Sequence, residues 1–293
     1  MKNSISDKWM SAVFYVLIGL FAIACLYPFL LVIASSLTQE SALLRDGYKL
    51  LPQQWSGAAY RAIFTTSTIP KAYLVTIFVT VVGTALSILV TSMAAYALSG
   101  RRLHYAGHLS LFFYFTMLFS GGMVSNYILT TKYLHLQNSI WVYILPALLS
   151  PWNLFLMRNF FNDLPKELFE SVKIDGAGEM RILRSIVLPL SLPAIATIGL
   201  FYALGYWSSW TPAMLYIDNP NLFSLQYIIM QIIRNVDMAQ TIAVSGSPSA
   251  SQVAPAYTVR LATAVVTIGP IIFLYPFLQR YFVGGLRVGA IKG

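Results

Sequence analysis

Few residues in this chain could act on a covalent bond, and their spacing argues against it. Its three histidines, His104, His108 and His135, have no carboxylate or cysteine at ligand spacing with which to build a zinc site. His104 and His108, four residues apart, fit either one helix face or a solvated turn. The single cysteine, Cys25, lies inside an apolar run and can form neither a disulfide framework nor a thiolate metal set within one chain. No G-x-x-x-x-G-K-[ST] phosphate loop is present, so the chain has no such cradle for a nucleotide and cannot itself draw energy from ATP. Four of the ten acids that a Ser/His/Asp set could draw on cluster instead in one charged stretch, Pro165 to Pro193, PKELFESVKIDGAGEMRILRSIVLPLSLP. Enzymatic chemistry is not expected. A charged, helix-compatible stretch between apolar runs is suited to holding another protein.

The elements that position this stretch are set by composition. Hydrophobic residues make up 57% of the 293 and charged residues 10%, with a mean hydropathy of +0.68, which leaves too few polar side chains to cover a soluble globule. The bilayer is the solvent that this composition demands. A hydrocarbon core of about 30 Å needs about 20 helical residues. Six segments qualify, at 11–36, 72–99, 109–130, 139–157, 186–212 and 261–280, none of them containing Asp, Glu or Lys. Pro28, Pro146, Pro151, Pro193 and Pro270 read as kinks within spans, since neighbouring membrane helices can satisfy the freed carbonyls. The first run continues past Ala22-Ile23-Ala24-Cys25 to Ile33, too long for a signal-peptide core, and reads as an uncleaved span. The chain is therefore read as one all-α integral-membrane domain over 1–293.

Charge in the loops orients the spans. With the N-terminus in the cytoplasm, the inside segments hold twelve of the nineteen Lys and Arg, and the longer outside segments hold the other seven. Both termini and the charged stretch are then cytoplasmic. The net charge of +9 is explained by this bias, and no basic, aromatic-studded stripe suggests nucleic acid. Residues 37–71 read as a compact interfacial loop. The 213–260 segment reads as a long outside loop, with an apolar patch from Leu222 to Ile233 read as a short interfacial or docking helix and a flexible Ser-rich part at 246–251. The absence of acids within the spans argues against a proton relay. An ion-coupled secondary carrier remains the alternative to transport driven by a partner.

Residue by residue, the charged stretch reads as a short helix across the cytoplasmic mouth. Pro165 suits a first helical turn, and Glu167 and Glu170 complement the positive end of the dipole. Leu168, Phe169 and Val172 supply a short apolar face, and Asp175-Gly176 ends the helix with a residue free to turn left-handed. A second amphipathic stretch, Met180, Ile182, Leu183 and Ile186 interleaved with Arg181 and Arg184, leads into Leu188-Pro189-Leu190 at the membrane.

Glu167-Leu168-Phe169-Glu170-Ser171-Val172, Ile174-Asp175-Gly176-Ala177 and Ile186-Val187-Leu188-Pro189-Leu190 together resemble the EAA loop of permease subunits in binding-protein-dependent ABC importers. Ser171-Val172 stands where Ala-Ala is usual, and Gly178 where a small polar residue is common. The six-span layout, with this loop over 165–190 between spans four and five, is similar to the sugar-importer branch. The resemblance implies a type I (MetI-like) permease fold in the bacterial inner membrane, with a coupling helix that seats in a groove on a cytoplasmic ATPase. It implies that Glu167, Phe169, Glu170, Ser171, Asp175, Gly176, Ala177, Met180 and Pro189 serve that contact. Two ATPase subunits would bind ATP and Mg, leaving this chain without a cofactor. A like or unlike sister permease would complete the path, and an extracytoplasmic solute-binding protein would deliver substrate.

The 213–260 loop, with NLFSLQYIIMQII, further resembles permeases for larger oligosaccharides, including acidic ones such as alginate fragments. Asn126, Asn153, Tyr202, Tyr206, Trp207 and Trp210 either line a sugar path by stacking and hydrogen bonding, or anchor the interface and pack helices. The outside segments carry a basic surplus of three, a small bias toward an anionic ligand.

Overall fold

The structure is a computed structural model that describes residues 5–65, 68–99, 103–165, 169, 172, 176–244 and 257–269. The chain forms two compact units, one from 1–67 with 231–269 and one from 68–230 with 270–293. Among the described residues it is built from helices, and two of these are long and apolar enough to cross a membrane unbroken, Trp9–Ser36 and Thr68–Leu98.

The first unit holds α1 (Ile5–Ser36), α2 (Glu40–Asp46), α3 (Ala58–Thr65) and a terminal helix, Tyr257–Gly269. From Trp9 to Leu30 α1 is exposed on every side, with Phe14, Leu17, Phe21 and Leu26 all open. A helix apolar all round belongs in hydrocarbon, where its backbone satisfies itself. Cys25 lies in this stretch and Pro28 is accommodated inside the continuous helix. The following loop is compact, as expected: Gln39 N donates to Gln54 O at 3.0 Å and Ser56 N to Leu37 O at 2.8 Å around a Thr38–Trp55 bridge. Gly47, at φ 73°, closes α2 by donating to Leu43 O at 3.0 Å.

The second unit is organised around α4 (Thr68–Leu98). One face of α4 carries Ala72, Thr76, Thr80, Gly83, Ser87 and Thr91, small residues spaced by three or four and buried, while Leu74, Val81 and Leu89 on the other side are exposed. Without a hydrophobic drive between helices in lipid, such a small-residue face permits close backbone approach. Against it pack α7 (Pro151–Asn162) and a helix Leu192–Trp207, labelled α9 below. At Gly83 an added Cβ would stand 2.8 Å from the Tyr206 ring, which explains the glycine there.

Three expected spans are bent rather than straight. α5 (Ala106–Leu118) and α6 (Gly122–Ile128, continued by a π turn to Tyr133) meet at 113° across Gly121-Gly122, with Gly122 at φ 79°. The segment Ile140–Ala147 meets α7 at 51°, and α8 (Glu179–Leu190) meets α9 at 84°. Pro151 and Pro193 stand at two of these bends, but as helix boundaries and not, as expected, as kinks in a continuous helix. Each occupies the first turn of a new helix, after Ser150 and Ser191, where the missing N–H costs nothing. The last expected span is described only over Tyr257–Gly269, and 270–280 lies outside the described residues. In the long loop the apolar patch belongs to a twenty-residue helix, Leu225–Val244, longer than expected, and the Ser-rich 246–251 lies outside the described residues.

Candidate functional site

The charged loop is described at Pro165, Phe169, Val172 and from Gly176 onward; Glu167, Glu170, Ser171 and Asp175 lie outside the described residues. Phe169 and Val172 are helical and half-buried, and with Ala177 they pack against the core of the second unit. Gly176 takes φ 75°, and Ala177 N donates to Val172 O at 3.2 Å. A left-handed glycine followed by this long backward bond is a Schellman stop, the sharp exit expected at this glycine. Open space surrounds Gly176, so its backbone conformation and not crowding requires glycine.

Gly178 then opens α8, accepting from Arg181 N at 3.0 Å and Ile182 N at 3.1 Å. Ile182, Leu183 and Val187 are buried, while Met180, Arg181 and Arg184 face outward. A π turn over Leu183–Val187 puts Val187 on the inner face, with Ile186 only half-buried, a phase shift that a regular 3.6-residue period does not anticipate. Pro189 is exposed in the last turn. At the start of α8 the Glu179 carboxylate accepts a 2.5 Å bond from the hydroxyl of Tyr96, a buried residue near the end of α4. Sequence reasoning passed over this pair because 83 positions separate its members.

The six path candidates divide. Tyr202 and Tyr206 are buried on α9, with hydroxyls paired to α4: Tyr202 to Thr91 at 2.7 Å and Tyr206 to Ser87 at 2.8 Å. The Tyr202 hydroxyl also accepts from Ser150 N at 3.0 Å, and that of Tyr206 donates to Ile144 O at 3.3 Å. These two tyrosines thus tie α4, α9 and the break before α7 together, and their polar ends are used inside the chain. Their partners were visible as hydroxyls at four-residue spacing along α4, a signal that sequence reasoning did not take up. Asn153 is buried in the first turn of α7, and Trp207 is buried with its ring edge-on to Tyr73 at 6.4 Å. Trp210 is half-buried and Asn126, on α6, is exposed. His104 and His108 both lie edge-on to Tyr105.

A second polar cluster joins the loops around Asn138. This residue, at φ 56°, accepts from Asp218 N at 2.6 Å and Asn219 N at 3.1 Å, while its amide donates to Asp218 Oδ2 at 3.2 Å. Lys71 Nζ donates to Asn221 Oδ1 at 2.9 Å, and Tyr127 stacks on Tyr216 at 5.6 Å. The start of the Leu225–Val244 helix is pinned by Thr76 Oγ1, which accepts from Leu225 N at 2.9 Å.

The chain has relatives that match it over nearly its whole length. It is 41% identical to the polygalacturonan/rhamnogalacturonan transport system permease protein YtcP of Bacillus subtilis, with all of both chains covered. It is 28% identical to the arabinooligosaccharides transport system permease protein AraQ of Halalkalibacterium halodurans, over 100% of this chain and 99% of that one. A crystal structure of a bacterial ABC transporter that imports the acidic polysaccharide alginate contains a chain with the same fold, at a TM-score of 0.81 and 28% identity, covering 96% of this chain and 99% of the other. Residues 1–288 match the family described as binding-protein-dependent transport system inner membrane component, and the chain belongs to that family.

Proposed function

We propose that this chain is a permease subunit of an ATP-driven importer of oligosaccharides, with uronate-rich, acidic oligosaccharides as its substrates. The loop over 165–190 receives a cytoplasmic ATPase, two copies of which bind ATP and Mg. A sister permease completes the path, and an extracytoplasmic binding protein delivers the sugar. Six spans follow if each bent helix pair is one crossing and the terminal helix continues past Gly269, with both termini cytoplasmic. Within this scheme the buried tyrosines hold helices together, and Asn126 and Trp210 are the candidates left to meet substrate.

One observation carries the acidic part: the full-length likeness to YtcP, whose named polymers are built on uronic acids, beside the likeness to a transporter of acidic alginate. The Schellman stop at Gly176 supports the coupling part, since it sets a sharp left-handed turn at an exposed glycine beside the half-buried Phe169 and Val172. The test is reconstitution with an ATPase, a sister permease and a binding protein from the same organism. Binding protein loaded with trigalacturonate is expected to stimulate ATP hydrolysis, and arabinotriose is not. Stimulation by the neutral sugar alone overturns the acidic assignment. Gly176→Trp is expected to keep the chain in the membrane and lose ATPase co-purification. Normal association in that variant, or uptake by this chain alone on an ion gradient, overturns the coupling assignment.

A further inference from the structure

A push on the charged loop has to reach the spans through α8, and α8 meets α9 at an 84° bend. A bend is a compliant joint. Ser191, at φ −100° and ψ 14°, stands outside helical geometry at the corner, and a π turn lies within α8 itself, so a force on the loop end of α8 could be absorbed by changing the angle. A hydrogen bond reaches across the open side of this corner. Glu179 begins α8, at the end far from Ser191, and its carboxylate accepts from Tyr96 at 2.5 Å. α4 is an unbroken 31-residue helix, and further along it Thr91 and Ser87 hold Tyr202 and Tyr206 of α9. The three helices thus form a closed frame, with α4 and α9 joined along their length, α8 and α9 joined at Ser191, and α8 and α4 joined by Glu179 and Tyr96.

We propose that the Tyr96–Glu179 bond is a brace that keeps the α8–α9 angle fixed under load, so that motion of the ATPase-binding loop turns α4 and α9 as a unit. This inference rests on the proposed docking of an ATPase at the 165–190 loop. Tyr96 and Glu179 are positioning residues in it and touch no substrate. Their chemistry suits a brace, because the bond is short and charge-assisted, among the stronger hydrogen bonds open to side chains. The tyrosine is 6% exposed and so is fixed by packing, while Glu179 lies at a helix N-terminus where its charge is favoured.

The test compares the full complex carrying Tyr96→Phe, Glu179→Ala or Glu179→Gln in proteoliposomes, with trigalacturonate as the probe and Gly176→Trp as the docking control. Three quantities are read: membrane level, ATPase co-purification, and ATP hydrolysed per trigalacturonate imported. Tyr96→Phe and Glu179→Ala are expected to keep the first two and to raise the third about tenfold, the scale of one lost hydrogen bond to a charged group. Glu179→Gln, whose amide oxygen still accepts but carries no charge, is expected to fall between wild type and Glu179→Ala, about threefold above wild type. A loss of packing alone does not predict that rescue. If Tyr96→Phe lowers the membrane level, Glu179→Ala decides, because Glu179 is exposed and its removal leaves no buried void. An unchanged ATP-to-sugar ratio in Glu179→Ala, while Gly176→Trp loses the ATPase, overturns the brace and leaves docking intact. Normal coupling in Gly176→Trp overturns docking and the brace with it.

Discussion

Glu40 ties α2 to the start of a second helix. It sits in the first turn of α2, and its carboxylate accepts from Tyr257 N at 3.0 Å, Thr258 N at 2.8 Å and Thr258 Oγ1 at 2.6 Å, at the first turn of the terminal helix. Free N–H groups at a helix start favour such an anion by both hydrogen bonding and the dipole. Glu40→Ala is expected to destabilise the first unit by about 1–2 kcal/mol, measurable as a lower thermal midpoint in detergent. An unchanged midpoint would mean that water replaces the carboxylate at no cost. Glu40 and Gly176 mark the two ends of what a reader of the sequence can recover. Gly176 declares itself locally, because a glycine after a helical, acidic run has few other uses. The partner of Glu40 is 218 positions away and nothing in the intervening chain signals the pairing. The same holds for Tyr96 and Glu179.

At the level of elements, hydropathy marked where apolar helices run but not their shape. A window average measures transfer into lipid and is blind to whether one axis runs through the window. α4 contains Gly83 yet stays continuous, whereas Gly122, at φ 79°, opens α6 at the break that follows α5, and composition does not distinguish the two cases. The difference lies in what each glycine faces. Gly83 is opposite the Tyr206 ring, 2.8 Å from where a Cβ would stand, and Gly122 is in open space. Gly83→Ala is therefore expected to force apart α4 and α9, disturb the Ser87–Tyr206 pair and cost about 1–3 kcal/mol. Gly107→Ala, at a helical glycine in open space, serves as the matched control and is expected to be neutral or slightly stabilising. Equal stability of the two variants in a denaturant titration would remove the close-approach argument.

For the whole molecule, the testable quantity is sidedness. The positive-inside bias predicts a cytoplasmic 165–190 loop and an outside 37–71 loop, and the chain carries a built-in silent background for checking this. Its one thiol, Cys25, sits within the apolar, outward-facing stretch of α1. A membrane-impermeant reagent is polar and does not enter the hydrocarbon core in which this stretch lies. The wild-type chain is accordingly expected to resist a membrane-impermeant maleimide from either side. Met180→Cys and Leu51→Cys replace side chains that are 63% and 80% exposed, so a reagent on the correct side can reach each of them. In right-side-out vesicles Leu51→Cys is expected to label and Met180→Cys is not; in inverted vesicles the pattern should exchange. The reverse pattern would place the charged loop outside, where no ATP-driven subunit could engage it, and would leave the coupling proposal without a compartment to work in.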